Sequence, residues 1–222
     1  MTKPLYRPTS DLPYPIKLPN GSRWPYTVFL KPVIKHPRIE IGDYTYYNDF
    51  NEPENLARTL APYLTFASVE KLIIGKYCQI AQGTQFLTSS ANHQMDGFSC
   101  YPFATFRGLW AKAYRPNYLF SGNNVVGNDV WFGHDCVVMP GVSVGTGSIV
   151  AARSVVTKNV EPYSIVGGNP ARLIRSRFDQ DTIQKLLAIA WWDWPDHVID
   201  ANISHIVGSN IESLAAINES LK

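Results

Sequence analysis

A chain of 222 residues, 45% of them hydrophobic, is long enough to bury one substantial core, and 20 basic against 18 acidic residues leave a net charge of +2. That balance gives no reason to expect nucleic acid or a membrane surface as partner. No apolar run is long enough to span a bilayer and residues 1–20 lack the apolar centre of a secretory leader, so a cytoplasmic protein is the default reading. The three cysteines, Cys78, Cys100 and Cys136, have no CxxC spacing and suggest neither a metal site nor a disulfide framework.

Residues 1–30 carry Pro4, Pro8, Pro13, Pro15, Pro19 and Pro25, which interrupt any regular element and predict an extended arm lying over the domain or over a neighbouring subunit. From residue 31 the sequence leads into a six-residue unit, Ile41-Gly42-Asp43-Tyr44-Thr45-Tyr46. The register is then lost over 47–69, an excursion with a short helical signal at 54–60. It returns at Ile74-Gly75-Lys76-Tyr77-Cys78-Gln79 and Ile80-Ala81-Gln82-Gly83-Thr84-Gln85 and decays through 86–91. A second excursion, 92–123, holds His93 and many rings, among them Phe98, Tyr101, Phe103, Phe106, Trp110, Tyr114, Tyr118 and Phe120. So many aromatic side chains are not left in water, and the loop is expected to pack on another surface or to line a pocket.

The repeat is strongest from Val126 to Glu161, six hexads in phase. The first place is always Val or Phe, the fifth always Val, Cys or Ser, and the second most often Gly or Ala. A period of six fits a triangular parallel β-solenoid, in which each flat side takes one hexad and three hexads make a coil. The first-place side chain points inward, the small fifth residue fits where the walls converge, and the small second residue tolerates the bend. Burying each inward aliphatic is worth roughly 1.5–3 kcal/mol, so consecutive hexads supply a continuous core. A β-sandwich with chance periodicity is the alternative, and periodicity alone does not fix the handedness. Gly167-Gly168-Asn169-Pro170-Ala171 then ends the solenoid with a turn, giving a solenoid over 31–170 and a C-terminal helical region over 171–222. Asp179 is a fair N-cap for a helix over 180–190, and further helices are expected at 196–206 and 210–220. Trp191, Trp192 and Trp194 could stack on a ligand, but large aromatics after an amphipathic helix are ordinarily packing residues.

Of the five histidines, His36, His93, His134, His197 and His205, His93 stands apart because it lies where a regular coil breaks into an aromatic loop. A rigid scaffold hands side chains to a cleft at such places. His134 has no partner at coil spacing, which disfavours a metal site of the carbonic-anhydrase-like solenoid kind. Trp131, last in its hexad, points out from a wall and needs a loop, a subunit or a ligand against it.

A set of motifs is more specific. Ser90-Ala91-Asn92-His93-Gln94-Met95-Asp96-Gly97 is followed by Tyr101-Pro102-Phe103, Gly127-Asn128-Asp129-Val130-Trp131, Gly167-Gly168-Asn169-Pro170-Ala171, and Arg177-Phe178-Asp179 with Trp191-Trp192. In this order, over 39–195, they resemble the xenobiotic acetyltransferase family of hexapeptide-repeat acyltransferases, which holds the streptogramin A acetyltransferases and the hexapeptide-type chloramphenicol acetyltransferases. The segment around His93 resembles the streptogramin branch more closely; residues 1–30 and 107–123 depart from both branches.

The resemblance implies a left-handed parallel β-helix, a homotrimer with active sites in the clefts between solenoids, acetyl-CoA as co-substrate without a metal, and His93 as general base. In that family the place of Trp131 borders the thioester end of the site. Ala151 and Ala152 would leave room for the pantetheine arm, although packing explains them as well. Lys158, with Arg153, Arg172 and Arg175, is a candidate for the CoA phosphates or simply a solvated charge, and Asn169 either meets the CoA or caps its own turn. Tyr46, Tyr63, Met95 and Trp110 could form an apolar wall with phenol handles for the acceptor. The expected activity is transfer of acetyl to a hydroxyl of a xenobiotic, foremost a streptogramin A antibiotic, then chloramphenicol, then a sugar or other small alcohol. The rival of a different class is a non-catalytic solenoid scaffold, which would have no use for His93 in its loop. The base would take the hydroxyl proton, a backbone N–H of an adjacent coil would meet the oxyanion, and the group that orients His93 is not visible in the sequence.

Overall fold

The hexads fold as a stack of short strands joined by corners. In the computed structural model, which describes residues 7–51, 54–116 and 119–222, the arm leads to strand β1 (Thr27–Phe29) and the single turn α1 (Leu30–Val33), and the coils begin with β2 (Ile39–Ile41) and β3 (Tyr46–Asn48). After the first excursion, with α2 (Leu56–Leu60), comes a full coil of β4 (Leu72–Ile74), β5 (Gln79–Ala81) and β6 (Gln85–Phe86). The second excursion, with α3 (Gly108–Ala113), precedes two more coils: β7 (Asn124–Val126), β8 (Trp131–Phe132) and β9 (Val137–Val138), then β10 (Ser143–Val144), β11 (Ile149–Val150) and β12 (Val155–Val156). β13 (Ser164–Gly168) and β14 (Ala171–Ser176) end the stack. Pro4 and Tyr118 lie outside the described residues.

The strands sort into three sheets, ordered β1-β3-β5-β8-β11-β13-β14, β10-β7-β4-β2 and β12-β9-β6. The chain therefore visits three faces in a fixed rotation, and every pairing between successive coils is parallel; among the named strands the antiparallel pairs lie at the two ends, β1 on β3 and β14 on β13. A sandwich would be antiparallel throughout its hairpins, and this stack is not.

First-place residues Ile74, Ile80, Phe86, Val126, Phe132, Val138, Val144, Val150 and Val156 all point inward and are buried. So are the fifth-place residues, including Cys78 and Cys136; burial pushes the Cys78 thiol up to about 12. Where the fifth residue is polar, its hydroxyl is absorbed by a carbonyl: Thr45 donates to Gly75 O at 2.6 Å, Ser148 to Glu161 O at 2.9 Å and Ser154 to Ala151 O at 2.6 Å. Small polar residues are thus tolerated in the core because none of these three is left unpaired.

The second place needs a correction. Its glycines do not serve the bend: a Cβ on Gly42, Gly75, Gly127 or Gly133 would come within 2.4–2.6 Å of atoms of the next coil, so glycine there permits close stacking. The bend falls on the fourth place, where the backbone is left-handed at Tyr44, Tyr77, Gly83, Asp129, Asp135, Gly141, Gly147 and Arg153, and it recurs out of phase at Tyr163. Aspartate and glycine adopt that conformation at little cost, whereas tyrosine and arginine are strained in it and must be held by their surroundings. Tyr44 and Tyr77 are held by stacking on each other, with ring centroids 4.9 Å apart.

Phe132 is fully buried and meets Phe86 edge-on at 5.3 Å. Phe132→Ala is expected to cost about 3–5 kcal/mol through lost burial and the cavity left between coils. Denaturant unfolding at fixed protein concentration checks this; a loss under about 1 kcal/mol would mean that the coils collapse to fill the gap.

The region from residue 171 onward opens with a strand rather than a helix. β13 leaves an unpaired sheet edge, and β14 folds back to cover it through a turn at Asn169 and Pro170. Three helices follow: α4 (Gln180–Ile189), α5 (Asp196–Ile206) and α6 (Ile211–Glu219). Asp179 caps the first by accepting from Thr182 N at 2.8 Å, and Asn210 caps the third by accepting from Ser213 N at 3.1 Å. Trp191, Trp192 and Trp194 are buried with Ile189, Val198, Ile199 and Leu214 in a second small core, and Tyr77 carries that core onto the coils through Trp191, 4.9 Å away. The tryptophans are packing residues. The arm is tied to the same region, since Arg7 pairs with Asp196 and Asp200. No helix of the described residues is long and apolar enough to cross a membrane.

Candidate active site

His93 is presented by a firmly rooted loop. After β6 the chain makes one tight turn, Ser89–Ala91, whose ends are fixed to both excursions: Ser90 N donates to Glu70 Oε1 at 2.7 Å, the Ser90 and Ser68 hydroxyls lie 2.8 Å apart, and Ser121 N donates to the Ser89 hydroxyl at 2.9 Å. Glu70 is almost fully buried; burial pushes its carboxyl up, but hydrogen bonds, among them those from Ser90, outweigh this and hold it below the ordinary value. It is a fixed anionic anchor beneath the root of the loop.

Two residues beyond that turn, His93 is exposed and its Nδ1 lies 3.0 Å from the carbonyl oxygen of Cys100. A carbonyl can only accept, so Nδ1 carries the proton, and in the neutral ring Nε2 is left with its lone pair. This is the tautomer a general base needs. The ring stands in a small cleft whose walls include Tyr101, Pro102 and Tyr114, and Tyr114 is itself held by a hydrogen bond from its hydroxyl to Gln94 Oε1. Farther out, Tyr101, Phe103, Phe106 and Trp110 cluster with centroids 4.7–6.3 Å apart. Within one chain these contacts leave the four rings 40–59% exposed. Trp110 stays 46% exposed, and Met95 and Phe98 are more exposed still.

The remaining candidates fall on other parts of the molecule. Tyr46, Gln79, Trp131, Ile149 and Ile165 stand in one register across the seven-stranded sheet, on its outer face. Trp131 is half exposed at the centre of this row, as its place in the hexad predicts, and burial pushes the Tyr46 phenol up. Beyond the row, Ala151 N donates to Val166 O at 2.9 Å, while the exposed Ala152 N–H has no acceptor among the described residues. Lys158 and Arg172 meet in a cleft of about 270 Å3 at the end of the stack. Asn169 is exposed at the tip of the β13–β14 turn, next to a cis peptide bond with Pro170. Tyr63 is exposed beyond α2.

These positions form two groups. His93, Met95 and Trp110 belong to a loop that leaves after β6 and returns at β7, at the corner between two faces, whereas Tyr46, Trp131 and Ala151 belong to the third face, across the prism. Among the described residues no hydrogen bond or ring contact joins one group to the other. Two features escape sequence reading. The Cys100 carbonyl that orients His93 is a main-chain atom with no side-chain signal, and Glu70 reads as an ordinary surface charge until the fold buries it.

Chemically, the loop offers a base with its proton on the correct nitrogen, and the wall offers an aromatic platform, an unpaired amide and a basic cleft. Residues 125–158 match the family model described as bacterial transferase hexapeptide (six repeats). The chain is 44% identical over 155 residues, 69% of its own length and 86% of the other's, to a probable macrolide acetyltransferase of Lysinibacillus sphaericus. It is 38% identical over 186 residues, 82% of its length, to a chloramphenicol acetyltransferase of Agrobacterium fabrum, 88% of which is covered. To the virginiamycin A acetyltransferase of Staphylococcus aureus it is 44% identical over 189 residues, 84% of each chain.

Proposed function

Because the chain belongs to the xenobiotic acetyltransferase family of hexapeptide-repeat acyltransferases, we propose that it transfers acetyl from acetyl-CoA to a hydroxyl of an antibiotic, with His93 as general base. The observation that carries this reading is the bond from His93 Nδ1 to the Cys100 carbonyl, which leaves Nε2 free to accept a proton. A scaffold would gain nothing from a histidine so oriented on an exposed loop.

In the reaction, Nε2 takes the hydroxyl proton as the acceptor oxygen forms its bond to the thioester carbonyl carbon. The tetrahedral intermediate then breaks its carbon–sulfur bond, and the proton held on Nε2 passes to the leaving thiolate, which departs as CoA thiol. Acceptor and thioester must be aligned first, which is the role assigned to the outer wall. Trp131 borders the thioester end, Ala151 and Ala152 leave space for the pantetheine arm, with the free Ala152 N–H as one hydrogen-bond donor to it, and Lys158 with Arg172 faces the phosphates. Asn169 closes that end. Tyr46, Tyr63, Met95 and Trp110 form the acceptor wall.

The loop and the wall lie on different sides of one prism, so the complete site is assigned to a homotrimer of left-handed coils. In it the loop of one chain covers the third face of the next and buries its half-open rings. The cytoplasm is the compartment where acetyl-CoA is at hand.

A streptogramin A antibiotic is the first acceptor. Support comes from the 44% identity to the virginiamycin A enzyme and from a half-exposed, mainly apolar acceptor wall suited to a large, mostly apolar molecule. Chloramphenicol is the second, favoured by the 38% identity over 186 residues to the Agrobacterium fabrum enzyme. The test is CoA thiol release with virginiamycin M, chloramphenicol and glucosamine as acceptors. We expect turnover with virginiamycin M at a kcat/KM at least about tenfold above that with chloramphenicol, a margin that a few well-placed contacts supply, and none with the sugar. Inertness with both antibiotics would overturn the antibiotic assignment.

A further inference from the structure

Between the coil corners and the C-terminal helices lies a cavity of about 680 Å3, within the ~300–1,000 Å3 that small organic ligands occupy. Neither His93, Trp131 nor any other residue assigned above to acetyl transfer lines it. Its polar end is made of Asp129, Tyr163 and Arg177, and its apolar walls include Phe178, Leu186 and Ile211.

The polar end is underused by the protein itself. Tyr163 is only 3% exposed, and its hydroxyl is buried without any hydrogen-bond partner among the described residues, a costly state for a phenol. Arg177 sends Nη1 to the Gly147 carbonyl at 2.5 Å and lies over the rings of Tyr163 and Phe178, with its guanidinium carbon 5.5 and 5.4 Å from their centroids. Its Nε and Nη2 have no acceptor among the described residues. Among the described residues the Asp129 carboxylate accepts a single hydrogen bond, from Gln79 Nε2 at 3.1 Å, and burial pushes its carboxyl up, partly offset by Gln79 and Arg177. Three polar groups thus retain hydrogen-bonding capacity at one end of a space whose remaining lining mixes apolar side chains with Asp179, Thr182, His205, Ser209 and Asn210.

The charges decide what would fit. At the polar end one carboxylate and one guanidinium cancel, while the other carboxylate of the lining, Asp179, is already engaged in capping α4 through Thr182, so a charged head group at that end would meet one like charge whichever sign it carried. A neutral head can satisfy all three groups at once, accepting from Tyr163 and Arg177 and donating to Asp129. We propose that this cavity is a second binding site, for an uncharged amphipathic molecule with an aromatic or aliphatic body and an amide- or hydroxyl-type head. The site is separate from acetyl transfer and does not depend on the identity of the acceptor.

The test titrates the full-length protein calorimetrically with three probes that share one body: 2-naphthamide, 2-naphthoate and 2-naphthylmethylammonium. We expect saturable binding of the amide, one per chain, at least ~10-fold tighter than either charged analogue, because each of these must desolvate an unbalanced charge. Tyr163→Phe, which removes only the unpartnered hydroxyl, is expected to weaken amide binding about fivefold. The same variant should leave thermal stability undiminished and acetyl transfer unchanged. Leu186→Trp, which fills the space, is expected to abolish binding, while Trp131→Ala leaves it intact. The proposal is overturned if the amide does not bind saturably, if naphthoate binds as tightly, or if Tyr163→Phe binds the amide as well as the wild type. It is equally overturned if Trp131→Ala removes the binding, because the probe would then be seated on the acetyl-transfer wall.

Discussion

His93→Ala is expected to lower kcat for antibiotic acetylation by about 10²–10⁴, the range that a positioned general base contributes. KM for acetyl-CoA and the melting temperature should hardly move. His93 is exposed, and its ring bonds to the Cys100 carbonyl, so truncation removes little packing, and a carbonyl left facing water is not orphaned. His93→Gln sharpens the test. A glutamine can still donate to the Cys100 carbonyl and preserve the loop, but its amide cannot take a proton at neutral pH. If the base is what matters, both variants fall alike; if the hydrogen bond to the loop is what matters, glutamine rescues. Initial rates of thiol release at saturating acetyl-CoA decide between them. A loss of less than about tenfold in both variants would remove His93 from the chemistry.

Much of this is legible in the amino-acid sequence itself. The first and fifth places of each hexad announced the core, and the structure buries Phe132 and Cys136 accordingly. What the hexad pattern concealed was the purpose of its other places. Glycine at the second place signals a tight backbone, but only the stacked coils reveal that the crowding comes from the coil beneath, as at Gly127 against Thr146. The fourth place accepts Tyr77, Asp129, Gly141 and Arg153 alike, and such mixed chemistry hides a shared left-handed backbone. β14 escaped because its pairing partner is set by the unpaired edge of β13, a tertiary demand that overrides local pattern. At the site, His93 was legible because its side chain is the feature, whereas the carbonyl that orients it belongs to Cys100 and would be the same for any residue there.

The division of the candidates between a loop and the opposite face leads to the second large effect. If one chain supplies His93 and its neighbour supplies Trp131, then His93→Ala and Trp131→Ala damage opposite halves of the same site. Each pure variant trimer has every site broken. In a mixed trimer, a site is intact whenever a Trp131→Ala chain provides the loop and a His93→Ala chain provides the wall. For an equal, random mixture that combination arises in about one site in four, so coexpression is expected to restore about a quarter of wild-type activity from two nearly inactive parents. Reversible unfolding and refolding of the two variants together should do the same, and mixing folded trimers without exchange should not. Truncating Trp131 is tolerable for the fold because half of its surface already faces outward, and sedimentation should give a mass three times the 24.9 kDa chain for both parents and for the mixture. Activity of the mixture that merely equals the average of its parents would mean that loop and wall work within a single chain, and the shared site would have to be abandoned.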